Sequence, residues 1–387
     1  MRDCIIPGPD IPMSALLQDV DPEGLAEFSV VFTDRSLNHM SHSFQGAMNE
    51  ISRILKKVYN GDAAVIVPGG GTYAMEAVAR QFATNEKCLV IRNGWFSFRW
   101  SQIFEMGDIP SSATVMKARQ IRDEAQAPYA PAPLEDVIAT IEKEQPAVVF
   151  APHVETASGM ILPDDYLTAV GQAVRSYGGL FVLDCIASGT LWVDMKTCHV
   201  DVLITAPQKG WSASPCAGLV VLSERAVQRM GEKTSSSFAC DLGKWHQIMQ
   251  AYEGGAHAYH ATMPTDGLVK LCDTMLETEA YGFDKVRAEQ QALGESVRRL
   301  LEQHGYKSVA ADGFKAPGVV VSFTEDPDIQ TGKKFLDIGF QIAAGVPLQC
   351  DERDDYRSFR IGLFGLDKLH DVDGSVKRLE SALKRIA

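Results

Sequence analysis

Two kinds of segment alternate along the first 225 residues. Short β-branched runs recur at 63–67, 88–91, 113–116, 147–151, 180–183 and 202–205. Between them, longer stretches at 36–59, 72–83, 134–144 and 163–177 read as helices. Strands that are near-continuously apolar, rather than alternating, have both faces covered, and intervening helices supply the covers. The pattern predicts an α/β fold with a mostly parallel central sheet and helices on both of its faces. In such sheets ligands bind in the loops that follow the carboxyl ends of the strands. From about Pro264 the texture changes. A long, charged, leucine-containing region at 267–304 reads as helix broken near Gly282. Strand-like runs follow at 318–323 and 358–363, and then a final helix from about Leu369, which together make a smaller C-terminal α+β unit. The expected organisation is an N-terminal segment 1–20, a large domain 21–264 and a small domain 265–387, with no low-complexity linker between them.

Composition narrows the partners. The 387 residues are 45% hydrophobic and 22% charged, as in an ordinary globular protein, and 37 basic against 50 acidic residues give a net charge of −13. That balance opposes long-range attraction to nucleic acid or anionic membrane, so neither is expected as a partner. No apolar run reaches membrane-spanning length. The opening residues, MRDCIIPGPDIP, are interrupted by prolines and do not read as a secretory signal. Eight scattered cysteines form no CxxC pair, which fits free thiols in the cytoplasm. The nine histidines include no HExxH, and no metal site is expected.

Candidate chemistry clusters just after the strands. PGGGTYAMEAVAR, 68–80, puts three glycines between a strand and a helix beginning near Thr72, where backbone N–H groups and the helix dipole suit an anion. It is not GxGxxG, so a dinucleotide is disfavoured. RNGWFSFRW, 92–100, places aromatics beyond a strand end, and HVETASG, 153–159, is a hydroxyl-rich turn. LDCIAS, 183–188, ends a strand on Asp184, a carboxylate that is costly to bury without a partner. Lys209 sits between the apolar runs 200–206 and 217–223. Taken alone it is a solvated loop lysine. Taken with the others it completes a set: anion loop, aromatic, hydroxyl turn, aspartate and lysine. Pyridoxal phosphate needs that whole set, for its phosphate, ring face, phenolic oxygen, pyridine nitrogen and aldehyde respectively.

At these residues the sequence resembles the class V aminotransferases, fold-type I pyridoxal phosphate enzymes, and looks most like alanine–glyoxylate, serine–pyruvate and 2-aminoethylphosphonate transaminases. LDCIAS lies 25 positions before PQK, and the resemblance extends to Tyr259-His260-Ala261-Thr262, to RIGLFG at 360–365 and to Pro7-Gly8-Pro9. It implies a fold-type I transferase using pyridoxal 5'-phosphate, with Lys209 as the Schiff-base lysine and proton shuttle and Asp184 paired with the ring nitrogen. It implies further that Gly70, Gly71 and Thr72 cradle the phosphate beside Gln208, that Phe96 stacks on the ring, and that Thr156 donates to the phenolic oxygen. Arg360 would clamp the substrate carboxylate. Tyr259 and Thr262 would reach the phosphate of a neighbouring subunit in a homodimer, and the segment 1–20 would pack at the active site. The implied reaction moves an amino group from a small donor (alanine, serine, glycine or 2-aminoethylphosphonate) to a 2-oxo acid such as pyruvate or glyoxylate.

Three features depart from the pattern and are expected on the substrate side: Ala157, Trp211 and the segment 347–358. A lyase or cysteine desulfurase on the same fold is the alternative, with Cys350 as its candidate residue. A phosphate- or nucleotide-binding module leaves Asp184, Lys209, Tyr259 and Arg360 unexplained together.

Overall fold

The computed structural model describes residues 20–22 and 24–386. Pro7-Gly8-Pro9, and the segment 1–20 save its last residue, lie outside the described residues.

The central sheet has seven strands in the order 63–68, 217–222, 202–205, 180–184, 148–152, 87–92 and 112–117. Ala217–Leu222 runs antiparallel to both neighbours, and the other six point the same way. Every residue of Val148–Pro152, Leu180–Asp184, Val202–Thr205 and Ala217–Leu222 is buried, as their continuous apolar runs require. Each fully buried Val, Leu or Ile contributes about 1.5–3 kcal/mol relative to exposure, so these strands anchor the fold. At the sheet's edge, Ser112–Lys117 is partly exposed.

The first helix, His42–Tyr59, starts later than its sequence signal. Ser41 sets the start, because its hydroxyl accepts the Phe44 amide and so satisfies a helix-end donor. Trp95–Gly107, Glu224–Gly231 and Leu242–Glu253 are helices that the periodicity did not mark. Thr265–Tyr281 and Phe283–Gln303 meet at Gly282, whose φ of 108° a side chain would resist, and this is the break expected there. The small sheet is antiparallel, with Ser358–Gly362 between Val319–Phe323 and Ala343–Ala344, and Val372–Ile386 closes the chain. No helix among the described residues is long and apolar enough to cross a membrane.

One apolar core joins the sheet to the helices of both halves. A second cluster, containing Tyr129, Val154, Met160, Val321 and Leu348, joins the turn after Val148–Pro152 to the small sheet, and Phe96 and Phe364 pack on it. Phe96, Lys209 and Arg360 meet at this seam.

Candidate active site

The strand Ala63–Pro68 delivers the chain to Gly69, Gly70 and Gly71. Gly69 has a φ of 119°, which calls for glycine, and a Cβ at Gly71 would come within 2.6 Å of Ile186 Cδ1 and push that side chain aside. The Gly70 carbonyl accepts from the Tyr73 and Ala74 amides. The amides of Gly71 and Thr72 precede the first intrahelical bonds and are the helix's N-terminal donors. The Thr72 hydroxyl accepts from Arg99 at 2.9 Å.

Across from this loop stands Phe96, in the first turn of Trp95–Gly107. That turn is held by Glu155, which is fully buried. The Glu155 carboxylate accepts from the amides of Phe96 (3.2 Å), Ser97 (2.8 Å) and Ala157 (2.9 Å) and from the Ser97 hydroxyl (2.8 Å). A carboxylate at a helix N-terminus meets both the free donors and the dipole. Three cations surround the Phe96 ring, with Arg99 at 5.3 Å, Arg360 at 5.5 Å and the Lys209 amine at 5.7 Å from its centroid.

Asp184 ends Leu180–Asp184, in register with Ile204 of the strand that leads to Lys209. Its Oδ1 accepts the Ile186 amide at 2.9 Å, and no donor among the described residues meets Oδ2. Burial pushes its carboxyl up to about 6, against the pull of that amide and of Lys209. Burial also holds the half-buried Lys209 amine below the usual lysine range, with Asp184 and Glu155 opposing and Arg360 and Arg99 reinforcing. His153, whose Nδ1 lies 2.8 Å from Ser188 Oγ, is pushed down to about 3 by burial and Arg287. The Thr156 hydroxyl is buried without a hydrogen-bond partner.

Arg360 lies on Ser358–Gly362, and its Nε donates to the Ala344 carbonyl at 2.8 Å. Gln208 is exposed next to Lys209. Tyr259 and Thr262 stand apart, on the connection between Leu242–Glu253 and Thr265–Tyr281. Tyr259 is 54% exposed, and its hydroxyl lies 3.1 Å from that of Thr262.

Comparison with known proteins follows this geometry. No family model matches the chain. It is 24% identical over 386 residues, 98% of this chain and 92% of the relative, to the soluble hydrogenase 42 kDa subunit of Anabaena cylindrica. It is 25% identical over 336 residues, 84% of each chain, to a 2-aminoethylphosphonate–pyruvate transaminase of Salmonella agona. Among solved structures, alanine–glyoxylate aminotransferase from Nostoc sp. superposes with a TM-score of 0.76 at 21% identity, over 90% of this chain and 88% of that one. Class V aminotransferases are its homologues and its structural neighbours. The fold is fold-type I, and aminotransferases of this fold use pyridoxal 5'-phosphate.

Three side chains at the site, Glu155, Phe364 and Arg99, carry no signal in the sequence. Glu155 sits inside HVETASG, but only the structure shows its carboxylate under the Phe96 turn. Phe364, inside RIGLFG, puts its ring 5.7 Å from the Lys209 amine. Arg99 joins the glycine loop to Phe96. Trp211 is a correction. It is fully buried, packed at a tilt with its ring centroid 4.8 Å from that of Trp192 and edge-on to Phe283 and Tyr59, and so belongs to the core rather than the substrate side. Its large apolar surface outweighs its nearness to Lys209 in sequence. Ala157 is likewise buried, in the second cluster. Cys350 is buried too, with Sγ 3.4 Å from the Arg92 carbonyl, and burial pushes its thiol up to about 12.

The residues present fit pyridoxal phosphate on three counts. An unpartnered buried hydroxyl at Thr156 awaits an acceptor, Asp184 keeps one oxygen free of donors, and a helix N-terminus opens beside them.

Proposed function

We infer that the chain is a pyridoxal phosphate-dependent aminotransferase. In this reading it moves an amino group from a small donor, such as alanine, serine, glycine or 2-aminoethylphosphonate, to a 2-oxo acid such as pyruvate or glyoxylate. The observation that carries the reading is the placement of Asp184 at the end of one buried strand and Lys209 just beyond the end of its parallel neighbour, with the Lys209 amine 5.7 Å from the Phe96 ring centroid.

When bound, the cofactor supplies an aldehyde that takes an amine and a ring that draws electron density from the substrate's Cα. Lys209 holds the aldehyde and then carries the Cα proton. Desolvation leaves more of its amine neutral near pH 7 than an exposed lysine would offer, which both tasks need. Asp184 holds a proton on the ring nitrogen. Gly70, Gly71 and Thr72 bind the phosphate, with Gln208 beside them, while Phe96 covers the ring and Thr156 donates to the phenolic oxygen. Arg360 spends Nε on Ala344, which leaves its two terminal nitrogens for a substrate carboxylate.

Tyr259 and Thr262 serve the phosphate of the partner in a two-fold homodimer; their exposure, with Phe238 78% exposed nearby, supports this. The division into segment 1–20, domain 21–264 and domain 265–387 is supported by the placement of the small sheet beyond the seam. The seven described cysteines are all free, which supports the cytoplasm. The desulfurase alternative is weaker, because the Cys350 thiol is the wrong species for a nucleophile.

The test is a half-reaction. One small amino acid, added without any oxo acid, releases one equivalent of its own oxo acid per site and then stops. Pyruvate or glyoxylate restarts it. Continuous release of ammonia, sulfide or another fragment from every active substrate contradicts the reading.

A further inference from the structure

Arg92 closes the strand Lys87–Arg92 and is only 7% exposed. Its Nη1 donates to the Gln349 carbonyl at 3.1 Å and its Nη2 to Ser101 Oγ at 2.8 Å, while Nε has no partner. The guanidinium lies 4.6 Å from the centroid of the Phe98 ring. A guanidinium carries five donors, so this one is underused. Among the described residues no carboxylate lies within ion-pair distance of it.

Arg92 lines an open cavity of about 430 Å³, most of whose wall comes from the segment between Gly345 and Ser358. The other charges on its wall are already engaged or face solvent. Lys117 pairs with Asp351 at 2.6 Å, and Arg353 pairs with Asp355 and Asp123. Glu352 accepts the amides of Leu348, Gln349 and Cys350, and Asp354 is exposed. The cavity adjoins Arg360. Ser358, on its wall, is two residues from Arg360 along one strand, so the two share a face about 7 Å apart. Gly345, also on the wall, follows Ala344, whose carbonyl takes the Arg360 Nε. Tyr356 and Val346 of the wall pack on the same apolar cluster as Phe96 and Phe364.

We propose that this cavity is a subsite for a second acidic group of the substrate, a carboxylate or a phosphonate, which Arg92 recognises while Arg360 holds the first. The proposal rests on the aminotransferase reading and goes beyond the small substrates named for it: one of the two substrates, donor or acceptor, carries a distal acid as well as the group held by Arg360. A buried cation with spare donors and no carboxylate in ion-pair contact, only Asp351 and Glu105 at longer range, is costly, and an anionic ligand satisfies both deficits through charge-assisted hydrogen bonds. Arg92 lies on the cavity wall and Arg360 on the strand that continues from it, so the chain length that bridges the two guanidinium groups is read from the ligands that bind.

Calorimetric titration of the holoenzyme with glutarate, 3-phosphonopropionate and butyrate tests this. None of the three carries an amine or an oxo group, so binding is read without turnover, and the subsite and the aminotransferase reading fail separately. At least one of the two diacids binds wild type ten-fold or more tighter than butyrate, and which of them does so identifies the acid. The ratio collapses toward one in Arg92→Gln. In Arg92→Lys, which keeps the charge and serves where Arg92→Gln lowers Tm, the ratio falls at least three-fold because the fork is lost. Equal affinity of all three ligands for wild type, or an unchanged ratio in both variants, overturns the subsite.

Discussion

Asp184 and Lys209 face one crevice from the ends of adjacent parallel strands, and each alters the other's ionisation. The carboxyl, held up at about 6 by burial, would sit lower but for its desolvation, and the amine is held down by the same cause. A pair shifted in this way would suit a ligand with a cationic ring nitrogen for Asp184 and an aldehyde for Lys209.

The Asp184 shift has a sign in stability. Because the folded-state pKa is raised to about 6, the folded protein binds the extra proton between the unfolded value and 6, so the cofactor-free protein loses stability as pH rises through that window. A shift of this size is worth up to about 3 kcal/mol, at 1.36 kcal/mol for each pKa unit. Asp184→Asn removes that slope. The cofactor-free variant is more stable than wild type at pH 7.5 and equal to it near pH 4, while cofactor affinity falls. Urea unfolding at the two pH values measures it, and a parallel pH dependence in both proteins contradicts the assignment.

Thr156→Val separates the cofactor-free and loaded states. The Thr156 hydroxyl is buried without a partner, and such an unsatisfied group costs about 1–3 kcal/mol. Its removal leaves the cofactor-free protein as stable or more so, yet weakens cofactor binding by roughly one charged hydrogen bond, about 1.5–3 kcal/mol. Thermal melts with and without pyridoxal phosphate read both effects. A variant less stable in both states would show that Thr156 serves the fold alone.

Mixed dimers test the exchange across the interface. A Lys209→Ala subunit paired with a Thr262→Ala subunit gathers both lesions in one site and restores the other. Activity of the mixture therefore rises well above that of either parent dimer. A mixture no more active than the average of its parents shows that Thr262 serves its own subunit.

Much of this was legible in the chain. The parallel strands announced themselves because burial on both faces demands unbroken apolar runs, as in Leu180–Asp184. Asp184 and Lys209 stood out because each is polar where such a run ends. The helix Trp95–Gly107 was hidden, since its bulky aromatics read equally well as a loop, and its start depends on Glu155 from a distant turn. Trp211 was misplaced because proximity to Lys209 in sequence says nothing of which way a side chain turns, and this one turns into a cage of aromatics. Arg92 was invisible as a site, for its lack of a counter-charge exists only in three dimensions.

Every role assigned to the site depends on Lys209 as the residue that holds the cofactor. Borohydride reduction of the holoenzyme, followed by proteolysis and mass mapping, tests it most directly. The visible absorbance band disappears and one pyridoxyl group per chain is fixed to Lys209, while Lys209→Ala binds cofactor without fixation and turns over on the order of 10³-fold more slowly or worse. A pyridoxyl group mapped to any other lysine, or a Lys209→Ala protein that still fixes the cofactor, would contradict it.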